Sequence, residues 1–98
     1  MSGFKIVFDE SYDDKAFYEL PYRGYASHVT LYLDGCPGIP LYFIDIARLS
    51  QELDGNIQIG DDFFAENGLI VLPSVTLESI HKVVGLLVDR GFFSKGTL

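Results

Sequence analysis

The sequence predicts a single α+β domain in which a small, largely antiparallel β-sheet packs against a C-terminal α-helix. The chain has 98 residues, which is the usual length of one domain and too few for two. Several short segments alternate apolar with polar residues, as half-buried strands do, whereas the last third repeats apolar residues at helical spacing. One or two short helices are expected in addition.

The N-terminal elements are predicted to be a strand and a short helix. Phe4–Phe8 alternates large apolar residues with smaller or charged ones, which indicates a strand with one apolar face. A helix is predicted over residues 12–20, with Ser11 as its N-cap, because two aspartates in its first turn suit the positive end of the helix dipole. Pro21 is expected to end this helix, since the residue before a proline avoids helical backbone angles.

The centre of the chain is predicted to hold a β-hairpin and a second helix. Residues 26–33 and 39–46 are both rich in β-formers, and a Gly- and Pro-containing loop of five residues separates them. Residues 47–53 are expected to form a short helix. Residues 56–59 are then a short strand candidate.

The last elements are predicted to be a buried strand and a largely buried helix. Leu69–Leu72 is a continuous apolar run that Pro73 ends. The helix begins after Thr76, a good N-cap, and stops at Arg90 and Gly91, which suit a helix C-terminus. It is expected to lie across the sheet because polar residues occupy only a narrow stripe of it. Its predicted apolar face consists of Leu77, Ile80, Val84, Leu87 and Val88.

Negative charge is concentrated in the middle of the chain. The net charge is −7, and residues 34–66 contain seven carboxylates and one arginine. Proteins that bind nucleic acids or anionic membranes directly use clustered lysine and arginine, so neither partner is expected here. A basic protein is the natural partner, because opposite charges accelerate encounter. The same acidic residues also have a simpler interpretation, which is that they keep a small protein soluble.

The sequence predicts a cytoplasmic protein. Its single cysteine, Cys36, excludes an internal disulfide and is typical of a reducing compartment. The N-terminal residues lack the apolar stretch of a signal peptide, and no apolar run approaches the length of a membrane span.

Residue patterns typical of catalysis are few. A nucleophilic pair would need Cys36 with His28 or His81, but a loop thiol and two surface histidines explain these residues equally well. The acidic residues of segment 61–66 lack the alternating ligands of a calcium loop, and no glycine-rich phosphate loop occurs. We therefore expect no enzymatic activity, no metal and no cofactor.

The candidate partner-binding residues are carboxylates interleaved with aromatic residues. Protein interfaces favour aromatic anchors surrounded by polar groups. The aromatic residues of the acidic segment, which fit core positions equally well, are Tyr42, Phe43, Phe63 and Phe64. The candidate carboxylates, with the first four preferred to the last two, are Asp54, Asp61, Asp62, Glu66, Asp13 and Asp14.

The C-terminal quarter of the chain has a recognisable pattern. Residues 68–93 combine an apolar strand, a Pro-x-x-Thr helix start and a helix ending in Arg-Gly-Phe-Phe. This pattern resembles the closing strand–helix unit of small bacterial immunity proteins, which are paired with polymorphic toxins, including those of contact-dependent growth inhibition systems. The resemblance implies a cognate toxin domain, often a basic nuclease, that is neutralised by binding. It identifies no individual contact residue.

Three functions therefore remain open from the sequence. The first is an immunity protein that covers the active site or substrate groove of a toxin. The second is another acidic inhibitor or adaptor, such as a phage protein that mimics nucleic acid. The third is a small enzyme or ligand-binding domain, in which His28, Cys36 or His81 would meet carboxylates in a pocket.

Overall fold

The computed structural model describes residues 3–93 and confirms the α+β class. Four strands form one sheet in the order β1-β2-β3-β4. The first three are antiparallel neighbours, whereas β4 pairs with β3 in parallel. The elements are β1 (Phe4–Phe8), α1 (Asp14–Arg23), β2 (Tyr25–Leu33), β3 (Ile39–Asp45), α2 (Ile46–Gln58), β4 (Leu69–Leu72) and α3 (Leu77–Asp89).

The hydrophobic core lies on one face of this sheet, which we call the core face. α1 and α3 both contribute to it, and each fully buried aliphatic or aromatic side chain stabilises the fold by about 1.5–3 kcal/mol. The buried face of α3 is narrower than predicted, because Leu77 is 38% exposed. The buried residues of the core are Leu20, Ala26, Val29, Leu31, Leu41, Phe43, Leu72, Val75, Ile80, Val84 and Val88.

Both predicted ends of α3 are confirmed. The Thr76 hydroxyl accepts the backbone N–H of Ser79 at 3.0 Å, and the Ser79 side chain accepts the backbone N–H of Thr76 in return. At the other end, Gly91 has a φ of 72°, and the N–H groups of Gly91 and Phe92 donate to carbonyls of the last turn. These bonds satisfy backbone groups that a helix end otherwise leaves unpaired.

The predicted limits of α1 were wrong. Asp13, not Ser11, is the N-cap and accepts a backbone N–H of the first turn at 2.8 Å, whereas Ser11 donates to the Asp9 carboxylate. Pro21 lies inside the last turn and does not end the helix. A proline removes its own N–H donor, but the residues after it can still donate, and the Gly24 N–H donates to the carbonyl of Leu20 at 2.9 Å. The helix ends instead at Gly24.

The central hairpin has the predicted five-residue loop, and β3 ends one residue earlier than predicted. The second helix is longer than predicted. α2 continues to Gln58 and has its C-cap at Ile59, so it takes in the segment 56–59 that was expected to form a strand. That prediction was wrong because Leu49, Leu53 and Asn56, which are half-buried, continue the helical spacing. None of the helices in residues 3–93 is both long enough and apolar enough to cross a lipid bilayer.

β2 contains a β-bulge that its sequence alternation did not reveal. The pairing with β3 shifts between Ala26 and Val29, so that Ser27 and His28 both lie opposite Tyr42. The extra residue allows both Ala26 and Val29 to reach the core, although strict alternation would place them on opposite faces. His28 has a φ of 59°, the one positive value outside glycine among residues 3–93.

Candidate functional site

The face of the sheet opposite the core, which we call the outer face, carries α2 and a row of aromatic side chains. Tyr25 stacks on Tyr42 with 6.2 Å between ring centroids, and Tyr42 lies 6.0 Å from Phe64. All three rings are half-buried. Ile44 is buried on this face, whereas α2 contains no buried residue. The outer face is therefore less completely buried than the core face.

The last turn of α2 and the loop after it form a separate acidic surface, which we call the acidic tip (residues 54–66). It contains four carboxylates and no lysine, arginine or histidine. The Asn56 side chain donates to the carbonyl of Phe63 at 2.8 Å, and the Asp61 N–H donates to the carbonyl of Asn56 at 2.8 Å. These two bonds fold the loop back onto the end of α2.

The acidic tip also exposes large apolar side chains. Ile57 is 51% exposed, Ile59 76% and Phe63 60%. The carboxylates of Asp61 and Asp62 lie between Ile59 and Phe63 in the chain and are exposed as well. Apolar side chains surrounded by charged groups are typical of the centre and rim of a protein interface.

The structure divides the predicted site residues between two elements. The four preferred carboxylates, Asp54, Asp61, Asp62 and Glu66, are all exposed on the acidic tip. Asp13 and Asp14 lie instead at the start of α1, where Asp13 is engaged as the N-cap. Of the predicted aromatic residues, Phe43 is buried in the core, whereas Tyr42, Phe63 and Phe64 reach the outer face or the acidic tip.

A cluster of two arginines around Tyr25 lies at the other end of the aromatic row. The guanidinium carbons of Arg23 and Arg48 lie 4.8 and 4.7 Å from the centre of the Tyr25 ring, which is the geometry of cation–π contacts. Arg23 also donates to the Tyr25 hydroxyl at 3.0 Å. Arg48 forms a salt bridge with Glu52, four residues along α2, at 2.8 Å.

Gly24 is the residue that brings these arginines together. It is buried with a φ of 78°, and a β-carbon there would lie 2.9 Å from the Arg48 β-carbon and 2.9 Å from a carboxylate oxygen of Asp45. The Gly24 carbonyl accepts the N–H of Asp45 at 2.8 Å, and Asp45 in turn caps α2. The end of α1 therefore contacts the start of α2 directly, which places Arg23 and Arg48 on the same ring.

The acidic residues near the aromatic row affect the ionisation of the Tyr42 hydroxyl. Burial raises the pKa of Tyr42, and the nearby carboxylates of Glu52 and Glu66 raise it further. The Tyr42 hydroxyl therefore stays protonated at neutral pH and remains available as a hydrogen-bond donor. Glu66 and Tyr42 also line a shallow depression of about 670 Å³ that extends across β2 and β3 to His28 and Asp9.

The residues considered for catalysis are placed as follows. His28 lies exposed at the bulge, Cys36 is half-buried in the hairpin loop, and the exposed His81 has its Nδ1 3.0 Å from the carbonyl of Leu77. Within residues 3–93, no three histidine, cysteine or acidic side chains are grouped as metal ligands would be.

Sequence reasoning identified the carboxylates of the acidic tip but missed two features. It placed Ile57 and Ile59 in a strand, whereas the structure exposes both at the end of α2. It also did not predict a cluster of basic residues, because Arg23 and Arg48 are far apart in the chain and meet only at the Tyr25 ring. No local sequence pattern indicates that cluster.

Similarity to other proteins does not identify the site. The roles considered for these surfaces therefore rest on charge, exposure and geometry. No protein family, no curated protein and no solved structure shows significant similarity to this chain.

Proposed function

We propose that this protein is an immunity-type inhibitor that binds a basic toxin domain through its acidic tip. The observation that carries the proposal is the exposure of Ile59 and Phe63 beside Asp61 and Asp62, on a segment without any basic residue. The pattern of residues 68–93, which resembles the closing unit of immunity proteins, supports the same function. The proposed partner is a nuclease, because nucleases bind their anionic substrates on basic surfaces.

The apolar side chains of the acidic tip have no role in the core. Ile57, Ile59 and Phe63 are all absent from the core and from the residues packed against it. A partner that removed one such side chain from water would gain about 1.5–3 kcal/mol before the costs of association. Their exposure therefore supports a binding role more directly than the charges alone, because charges also serve solubility.

The proposed mechanism is occlusion of the toxin's substrate groove. The carboxylates of the acidic tip would occupy positions that substrate phosphates otherwise take, and opposite charge would accelerate encounter. Phe63 would provide the desolvated anchor at the centre of the interface, with Asp61 and Asp62 at its rim. Salt is then expected to slow association more than it accelerates dissociation.

The test has two stages. The tagged protein is first used to capture its partner from cells that encode both, at low and at moderate salt, and mass spectrometry identifies what is retained. Affinity for the purified partner is then measured for a charge variant, Asp61→Asn with Asp62→Asn, and for the anchor variant Phe63→Ser. The matched charge control is Glu10→Gln with Asp89→Asn, which also removes two exposed carboxylates but lies outside the candidate residues.

The proposal expects a basic toxin domain that is held at both salts. Neutralising Asp61 and Asp62 should weaken binding by about 10-fold or more and reduce its salt dependence, and Phe63→Ser should weaken it by at least as much. The control pair should change affinity less than about threefold. Equal losses in the tip and control pairs would show that only net charge matters. Unchanged affinity in both tip variants would exclude the acidic tip as the interface.

A further inference from the structure

A second depression, of about 250 Å³, lies between α1 and the bulge of β2. Its polar lining differs in character from the acidic tip, because it contains the guanidinium of Arg23, the imidazole of His28 and the hydroxyls of Ser11 and Ser27. The guanidinium and the imidazole can donate hydrogen bonds to a ligand, whereas the Ser11 hydroxyl donates to the Asp9 carboxylate and the Ser27 hydroxyl pairs with the His28 ring. The depression is therefore a place where an otherwise acidic protein presents a guanidinium and an imidazole together.

Arg23 is the central group of this depression. The sequence contains 14 carboxylates, yet within residues 3–93 the salt bridge between Arg48 and Glu52 is the only one. Arg23 instead contacts the ring and the hydroxyl of Tyr25. A guanidinium has five N–H donors and stays charged, so this contact positions Arg23 without neutralising it.

His28 gives an independent indication of a site. Its φ of 59° lies in the left-handed region, where glycine is least strained and most other residues cost about 1–2 kcal/mol. Nδ1 of His28 lies 3.1 Å from the Ser27 hydroxyl oxygen. When Ser27 donates this bond, Nε2 carries the ring proton and is a donor. Strained residues are concentrated at binding sites, where the surrounding structure maintains them.

We propose that this depression binds a small oxyanion, with Arg23 and His28 as its principal donors. The shared chemistry is a phosphate, sulfate or carboxylate group, supplied either by a free anion or by a carboxylate of a protein partner. The carboxylates of Asp9, near His28, and of Glu19, near Arg23, oppose an anion. We therefore expect weak binding of a free anion, with a dissociation constant of about 1 mM. This inference does not depend on the proposed role of the acidic tip.

The experiment is a nuclear magnetic resonance titration of the isotope-labelled protein, which observes the Arg23 Nε–H and the His28 ring. Sodium sulfate is added at constant ionic strength, with chloride as the reference and acetate in a parallel titration. We expect saturable shifts of both groups with sulfate. Saturation with acetate as well would indicate that a partner's carboxylate can occupy the depression, whereas saturation with sulfate alone would indicate a free tetrahedral anion.

Three variants make the result decisive. Arg23→Gln should abolish the saturable shifts, whereas Lys15→Gln, which removes the same charge from an exposed position of α1, should leave them unchanged. His28→Gly should raise the midpoint of thermal unfolding, because glycine adopts positive φ freely, while it weakens sulfate binding several-fold. Shifts that do not exceed those in chloride, or that persist in Arg23→Gln, would overturn the proposal. So would full sulfate affinity in His28→Gly.

Discussion

The two faces of the sheet differ in how completely they are buried. The core face carries fully buried residues from both helices that cover it, including Leu20 of α1 and Ile80 of α3. The outer face is crossed by α2, which has no buried residue, and Ile44 is the one buried apolar side chain of residues 3–93 outside the core cluster. Stability is therefore concentrated on one face, which leaves the other free to expose charged and aromatic groups.

The sharpest test of this difference truncates neighbouring residues of β3 that point to opposite faces. Phe43→Ala should lower the free energy of unfolding by about 3–5 kcal/mol, because it leaves a cavity in the core. Tyr42→Ala removes a half-buried ring of similar size and should cost about half as much or less. Urea denaturation followed by circular dichroism measures both values. Equal losses would mean that the outer face contributes to the fold as much as the core.

The second test concerns the junction that holds β4 against β3. Gly68→Ala should cost at least about 2 kcal/mol, because the left-handed conformation is strained and the structure must also shift to relieve a clash. Its β-carbon would lie 2.0 Å from the carbonyl oxygen of Pro40, and its φ is 71°. Gly35 has a similar φ of 74° but no atom within 4 Å of a β-carbon.

Gly35→Ala is therefore the matched control for Gly68→Ala. It should show only the conformational cost, about 1–2 kcal/mol. Thermal and urea unfolding of the two variants separate the contribution of the clash from that of the backbone conformation. If the two variants lose the same stability, the close approach between Gly68 and Pro40 has no energetic consequence.

The smallest expected effect separates stability from binding at a single residue of α1. Asp13→Ala should cost about 1 kcal/mol through loss of the N-cap, whereas Asp13→Asn should cost little because asparagine caps equally well. Neither variant should change affinity for a basic partner by more than about threefold, since Asp13 is not on the acidic tip. Unfolding and binding measurements on the same two proteins check this. A large loss of affinity in Asp13→Asn would extend the interface to α1.

The elements predicted correctly are those whose local signals agree with their burial. The N-cap at Thr76 and the helical spacing of α3 indicate the same helix, and the five-residue loop defines the hairpin. The parallel pairing of β4 could not be read from Leu69–Leu72, because an apolar run does not specify the direction of its neighbour. The bulge at His28 was missed because one extra residue reverses the alternation without any local sign.

The candidate site was predictable to a similar extent. The carboxylates of the acidic tip could be named because charge is a property of the sequence, and their exposure follows from the cost of burying it. The arginine cluster on Tyr25 could not be named, because it depends on the contact between Gly24 and Asp45 at the junction of two helices. A tertiary contact of this kind has no periodic sequence signal.

The absence of buried residues in α2 has a consequence for motion. A helix that few apolar contacts hold in place can open locally at a lower free energy than the whole domain needs to unfold, so its amide hydrogens exchange with solvent through partial opening. The acidic tip is the end of this helix. A partner that binds the tip would therefore slow amide exchange along α2 much more than in the three antiparallel strands. Part of its binding free energy would offset the conformational entropy that α2 loses on becoming ordered.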